Sequence, residues 1–154
     1  MNSRAIKYLY LLITSVVALS DQLTKTAMRM LADSNGIRIN SVLSLSYGEN
    51  TGAAWSMFRG HVVLLSAIGI LAMIALFLFR KYFESSVQKI FAAVVAGGIL
   101  GNTIDRIWRG YVIDFINVDL KIYRWPTFNV ADAAICIGVI ILLFTFQKKA
   151  QKAY

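Results

Sequence analysis

Apolar residues fall into four long runs separated by polar segments. The cleanest, Val62–Phe79, has 18 residues without a charge. As a helix it would be about 27 Å long, matching the hydrocarbon core of a bilayer. The other three runs carry polar residues toward one end. Tyr8–Met28 is apolar until Asp21 and Lys25, Ile90–Ile107 bears Asp105 and Arg106 at its far end, and Val130–Phe146 has Asp132 near its start. The pattern predicts an all-α membrane protein with transmembrane helices over about 8–28, 62–79, 90–107 and 130–146, in a single integral-membrane domain 1–154. Ile37–Ile39, Leu43–Tyr47 and Ile116–Ile122 instead alternate apolar with polar residues. That is the period of half-buried strands, and it predicts a small extended or β segment on the outer membrane face. Pro126, the only proline, suits a break before the last helix.

The first run has a rival reading. Arg4 and Lys7, then an apolar stretch, then Ala18-Leu19-Ser20 resemble a secretory signal peptide with a small-residue cleavage site. Helical residues continue past that point (Gln22, Leu23, Lys25, Ala27, Met28), which favours an uncleaved span.

Composition agrees with a membrane bundle. The chain of 154 residues is 58% hydrophobic and only 16% charged, against about 45–50% and 25% in soluble domains. Disordered chains lack this apolar content. One cysteine and one histidine leave no disulfide, cysteine cluster, HExxH zinc site or His-containing triad to build. No metal and no cofactor is expected, and Cys136 reads as helix packing.

The net charge of +8 resides largely in short groups flanking the apolar runs: Arg4 and Lys7, Arg80 and Lys81, Lys148, Lys149 and Lys152. Such groups suit anionic lipid headgroups rather than nucleic acid, which calls for a basic face. Eight basic residues fall on each side of a four-span arrangement. Those beside the termini occupy the shorter segments, where the positive-inside rule applies, so both termini are expected in the cytoplasm. The acids divide unevenly. Only Glu84 lies on that side, while Asp21, Asp33, Glu49, Asp105, Asp114, Asp119 and Asp132 lie toward the other. Carboxylates gathered at one membrane face are costly in lipid, so they are expected to line a wet pocket. Trp55, Phe58, Trp108, Tyr111, Trp125 and Phe128 flank the extended segments, as expected of rings at the headgroup level.

Two of these acids carry the most interesting chemistry. Asp114 follows the third span and Asp132 lies in the first turn of the fourth, so both can reach one point at the outer face. Carboxylates brought together share a proton. One then takes a proton from water while the other protonates a substrate carbonyl. The plainer alternatives are a helix-end charge for Asp132 and a solvated loop acid for Asp114. Asp21 and Lys25, four apart, read as a helix-end ion pair, and Asp105 as a restraint beside an Arg106 free for a polar ligand. Asn50, Asn102 and Asn129 each offer a donor and an acceptor to a peptide backbone. Gly97 and Gly101 form a small-xxx-small step for close helix packing. Two other classes stay open from the residues alone. One is a small ion- or proton-coupled transporter, which places acids near the midplane. The other is a scaffold in which the aspartates merely pair with arginines.

Asn50-Thr-Gly52-Ala53-Ala54-Trp55, Gly97-Gly98-x-x-Gly101-Asn102-x-x-Asp105-Arg106, Val112-x-Asp114-Phe115 and Phe128-Asn129-x-Ala131-Asp132 together resemble the lipoprotein signal peptidase (signal peptidase II) family. With Asp21 and Lys25 the resemblance covers essentially the whole chain. It implies a four-span bacterial aspartyl endopeptidase of the cell (inner) membrane, with its active site near the outer face. The implied substrates are prolipoproteins whose cysteine carries diacylglycerol, cut just before that cysteine, and a monomer suffices. By motif, Asp114 and Asp132 match the catalytic pair. Asn50, Asn102, Arg106 and Asn129 match the polar residues that contact substrate or peptide-like inhibitors such as globomycin. Asp21, Lys25 and Asp105 match positions with a more structural role. Trp55 departs from the family's usual phenylalanine. The extended outer segments are expected to clamp the substrate or lie over the site.

Overall fold

The computed structural model describes the backbone of residues 3–31, 35–53 and 57–152, and the side chains of 4–31, 35–53 and 57–147. Trp55, Asp33 and the side chains of Lys148, Lys149 and Lys152 lie outside the described residues. Four helices, α1 (Ser3–Arg29), α2 (Val62–Phe79), α3 (Ser86–Arg109) and α4 (Val130–Lys152), are each long and apolar enough to cross a membrane. The chain is a four-span membrane protein with a small antiparallel sheet. α2 coincides with the uncharged run, and a short 3-10 turn, Arg80–Tyr82, ends it. α1 runs unbroken through Ala18-Leu19-Ser20 and carries Asp21 and Lys25 into the interior.

α3 is the central helix, packed against α1, α2 and α4. It begins four residues before its apolar run because Ser85 and Gln88 form a reciprocal capping box, which satisfies donors the first turn leaves open. It stops at Gly110, whose φ of 80° is readily adopted only by glycine. Its glycines permit close approach. A Cβ on Gly97 would stand 2.6 Å from Val17 Cβ on α1, and one on Gly98 would stand 2.5 Å from the Ala131 carbonyl oxygen on α4. A Cβ on Gly101 would run into the Asp21 carboxylate. The buried cluster Tyr10, Ala92, Ala93, Val95, Ala96 and Leu142 fills the bundle on the side away from the sheet. Cys136 faces outward on α4 rather than packing inside. An exposed thiol on an apolar helix costs little in lipid, so periodicity did not force it inward.

The sheet has strands β1 (Ile37–Arg38), β2 (Leu43–Asn50), β3 (Val112–Asp119) and β4 (Arg124–Phe128), in that order and antiparallel throughout. β3 starts four residues earlier than alternation predicts and ends at Asp119, so that residues 120–122 lie in the turn to β4. Val112, Ile113, Asp114 and Phe115 are all buried, and a stretch covered on both faces shows no period of two. β4 was not foreseen, because it contains Pro126. The strand lies at the sheet edge, where a missing N–H is tolerated, and Pro126 falls within the register irregularity between Ile116 and Val118. β2 carries one extra residue between Leu45 and Gly48, a bulge next to the point where Gly48 pairs with Asp114.

Substituting Gly98→Ala is expected to overpack the α3–α4 contact and to cost about 1–3 kcal/mol. Thermal unfolding in detergent, compared with a substitution at lipid-facing Ile140, measures this as a lower Tm for Gly98→Ala alone.

Candidate functional site

At the sheet end of the bundle, β3, the start of α4, the outer part of α3 and α1 bring their polar residues together. Asn129 precedes α4 and caps it. Its Oδ1 accepts from the Asp132 N–H at 2.9 Å, while Asp132 Oδ2 accepts from the Asn129 N–H at 3.2 Å. This reciprocal cap fixes the Asp132 side chain at the helix N-terminus, where the macrodipole favours its anion. Asp114 is carried by the buried half of β3 and is only 5% exposed.

Three asparagine amides hold the two carboxylates. Asn129 Nδ2 donates to Asp114 Oδ1 at 2.7 Å, and to the Ile113 carbonyl and Asn102 Oδ1, both at 3.2 Å. Asn102 Nδ2 donates to Asp132 Oδ1 at 2.7 Å. Asn50 Nδ2 donates to Asp114 Oδ2 at 2.9 Å, while its Oδ1 accepts the Gly52 N–H at 2.9 Å and closes the turn after β2. Arg106 Nη2 donates to the Gly52 carbonyl at 3.0 Å, so the same turn is tied to α3. Arg106 Nε is buried without a partner among the described residues.

Behind these amides lies a charged cluster. Lys25 Nζ is 2.7 Å from Asp21 Oδ2, 2.9 Å from Asp105 Oδ2 and 2.8 Å from Asn102 Oδ1. Asp21 Oδ1 accepts the Ala131 N–H of α4 at 2.9 Å. Asp105 Oδ2 accepts the Ile113 N–H of β3 at 3.2 Å, and Oδ1 pairs with Arg109. Gln22 bridges Asp105, Arg109 and the Gly101 carbonyl.

Asp114 titrates well above an ordinary carboxylate. Burial, and then the negative charge of Asp132, push its pKa up to about 6, against the pull of the Asn50 and Asn129 donors and of Lys25. Tyr47, bonded to Glu49 at 2.7 Å and to Tyr111 at 3.2 Å, is also held above its ordinary range, by burial first. Asp119, at the exposed end of β3, is held low by the Lys121 N–H and Arg124 and stands apart from the cluster.

Asn50, Asn102, Arg106, Asp114, Asn129 and Asp132 thus meet in one network. Asn129 is fully buried and Asn102 nearly so. Their amides are committed to the carboxylates, as is that of Asn50, but Asn50 and Arg106 are only half-buried. Sequence reasoning missed the direct bond from Lys25 to Asn102. The available signal was a lysine and an aspartate one turn apart inside an otherwise apolar run, which reads locally as a pair and not as part of a site.

The titration of Asp114 has a definite sign. Removing the like charge in Asp132→Asn is expected to lower its midpoint below about 6. Removing the Asn50 donor in Asn50→Val is expected to raise it. Infrared difference spectra of the carboxyl stretch across a pH series check both.

A family model described as signal peptidase (SPase) II matches residues 13–148. The lipoprotein signal peptidase of Thermodesulfovibrio yellowstonii is 39% identical over 139 residues, covering 87% of this chain and 91% of that protein. That of Lactobacillus johnsonii is 37% identical, covering 95% and 99%. A bacterial membrane enzyme solved by the in meso method superposes with a TM-score of 0.87 at 29% identity, over 94% of this chain and 91% of the other.

Proposed function

The chain belongs to the signal peptidase II family of membrane peptidases, and from that premise we propose that it is an aspartyl endopeptidase acting through Asp114 and Asp132. Its substrate is a prolipoprotein whose cysteine carries diacylglycerol, and the bond cut is the one just before that cysteine. The observation that carries this reading is the convergence of two carboxylates, from β3 and from the first turn of α4, on one shared set of asparagine amides. Structural acids have no need of such an arrangement.

The chemistry follows from the pair. A water between the carboxylates loses a proton to one as its oxygen attacks the scissile carbonyl carbon, and the other gives its proton to the carbonyl oxygen. Burial and the neighbouring carboxylate raise the Asp114 pKa to about 6, which favours a proton shared within the pair. Collapse of the tetrahedral adduct breaks the C–N bond as a proton passes to the departing amine. Asn102 and Asn129 hold the carboxylates, and Asn50 and Arg106 meet the substrate backbone. The arrangement needs neither a metal nor a cofactor, and one copy of the chain, as a single unit, suffices.

Orientation is part of the same reading. Both termini lie in the cytoplasm, and the pair lies near the outer face, level with a signal helix's cut site. The substrate's acyl chains remain in lipid and anchor it with about 0.8 kcal/mol per buried CH₂. The transporter alternative loses ground because the described acids other than Glu84 gather at the sheet end, with no relay along the bundle.

The test is cleavage of a diacylglyceryl-modified prolipoprotein by the purified protein in lipid. Asp114→Asn and Asp132→Asn are each expected to fold and to lose at least about 10³-fold in turnover, within the range assigned to acid–base groups. The same prolipoprotein without its lipid is expected to be cut poorly. A folded variant of either aspartate that retains near wild-type turnover contradicts the assignment.

A further inference from the structure

We infer that Lys25 is a positioning residue for the carboxylate pair, setting the orientation of the Asn102 amide and through it the hydrogen bond that holds Asp132. The inference rests on the aspartyl reading above.

An asparagine amide can be turned by half a rotation, exchanging donor and acceptor. At Asn102 both edges are fixed by neighbours. Its Oδ1 lies 2.8 Å from Lys25 Nζ and 3.2 Å from Asn129 Nδ2, and its Nδ2 lies 2.7 Å from Asp132 Oδ1. An ammonium group has donors only. The turned amide would therefore set an NH₂ against Lys25 and a carbonyl oxygen against the Asp132 carboxylate, opposing two pairs of like groups. The lysine permits one orientation, in which Asp132 receives a donor.

The same bond reaches the other carboxylate. Asn129 Nδ2, which donates to Asp114 Oδ1, also donates to the Asn102 Oδ1 that Lys25 holds. One ammonium thus orients the Asn102 amide, whose oxygen in turn receives the amide that holds Asp114. An ordinary structural ion pair requires only Lys25 with Asp21 and Asp105. Both acids are present at 2.7 and 2.9 Å, yet the third donor is spent on Asn102. Lys25 has no exposed surface, so water does not compete for that donor.

Lys25 also contributes its charge. The ionisable groups tied to the pair's supports are Lys25 and Asp21 from α1 and Asp105, Arg106 and Arg109 from α3, and Glu49, Tyr47 and Tyr111 are joined to one another on β2 and just before β3. Lys25 donates to the Asn102 side-chain amide and Arg106 to the Asn102 backbone carbonyl, and Lys25 opposes the rise of the Asp114 pKa.

Lys25→Met alone leaves Asp21 buried without its cation, so the decisive variant is the pair Asp21→Asn with Lys25→Met. It removes one charge of each sign, and an asparagine Oδ1 can still accept the Ala131 N–H. Asp105 keeps Arg109. The reference is Asp21→Asn alone. Relative to it, the double variant is expected to fold, to lose about 100-fold in kcat, the size associated with one preorganised donor, and to keep KM within about threefold, since no substrate contact is removed. The basic limb of its pH profile is expected to move upward by about one unit, because a lost neighbouring cation raises a carboxylate's pKa.

Equal kcat and an unshifted profile in the two folded proteins overturn the inference, as does a loss carried by KM alone. Failure of both Lys25→Met and the double variant to fold assigns Lys25 a purely structural role and also overturns it. Asp114→Asn and Asp132→Asn run alongside. If they cleave, the aspartyl reading falls whatever Lys25 does. If they are inactive while the double variant matches Asp21→Asn, only the inference about Lys25 falls.

Discussion

A lysine ammonium with no solvent exposure, 2.7 Å from one aspartate and 2.9 Å from another, is the interaction on which the sheet end of this protein depends. Moving such charges out of water costs several kcal/mol per ion, offset only where geometry and further hydrogen bonds are good. Here every oxygen of the two acids is employed. Asp21 holds the N-terminus of α4 through Ala131, and Asp105 holds the start of β3 through Ile113 and the end of α3 through Arg109. The cluster therefore fixes, relative to one another, the elements that carry Asp114 and Asp132. Gly101 is part of the same constraint, because a side chain there would displace the Asp21 carboxylate.

Two carboxylates in a partly dry site repel each other, and amides are well suited to keeping them together. Each amide supplies a donor without adding a charge that would neutralise the acids outright. Asn50 reaches Asp114 from the β2 side, Asn102 reaches Asp132 from α3, and Asn129 serves both, through its side chain and its backbone N–H. The cap of α4 and the support of the acid pair are thus the same residue. A substitution at Asn129 disturbs helix and site at once.

Much of this was legible in the sequence, and the exceptions have physical causes. The helices were visible because lipid tolerates few charges, so α2 could be bounded to the residue. Asp114 and Asp132 were visible as acids at span ends, and the ordered motifs tied them together. β4 was hidden by Pro126, which an edge strand accepts, and the first half of β3 by its burial on both faces. The Lys25–Asn102 bond joins residues 77 apart, and no local pattern encodes it. Cys136 was misjudged because apolar periodicity has little force on a lipid-facing surface.

The turn from β3 into β4 is apolar at points that water would punish. Ile122 is 96% exposed, beside Tyr123 and Trp125 packed edge to face at 6.0 Å. Rings and apolar tips of this kind belong at the headgroup level, as the proposed cut at a lipidated cysteine requires. The central claim is that water, activated by the two aspartates, attacks the peptide bond directly. A single turnover on diacylglyceryl prolipoprotein in H₂¹⁸O, with mass spectrometry of both products and of the enzyme, tests it most directly. The account predicts one ¹⁸O in the new carboxylate of the released signal peptide, an unlabelled enzyme and a product beginning at the lipidated cysteine. Label appearing in Asp114 or Asp132 would reveal a covalent intermediate and contradict it.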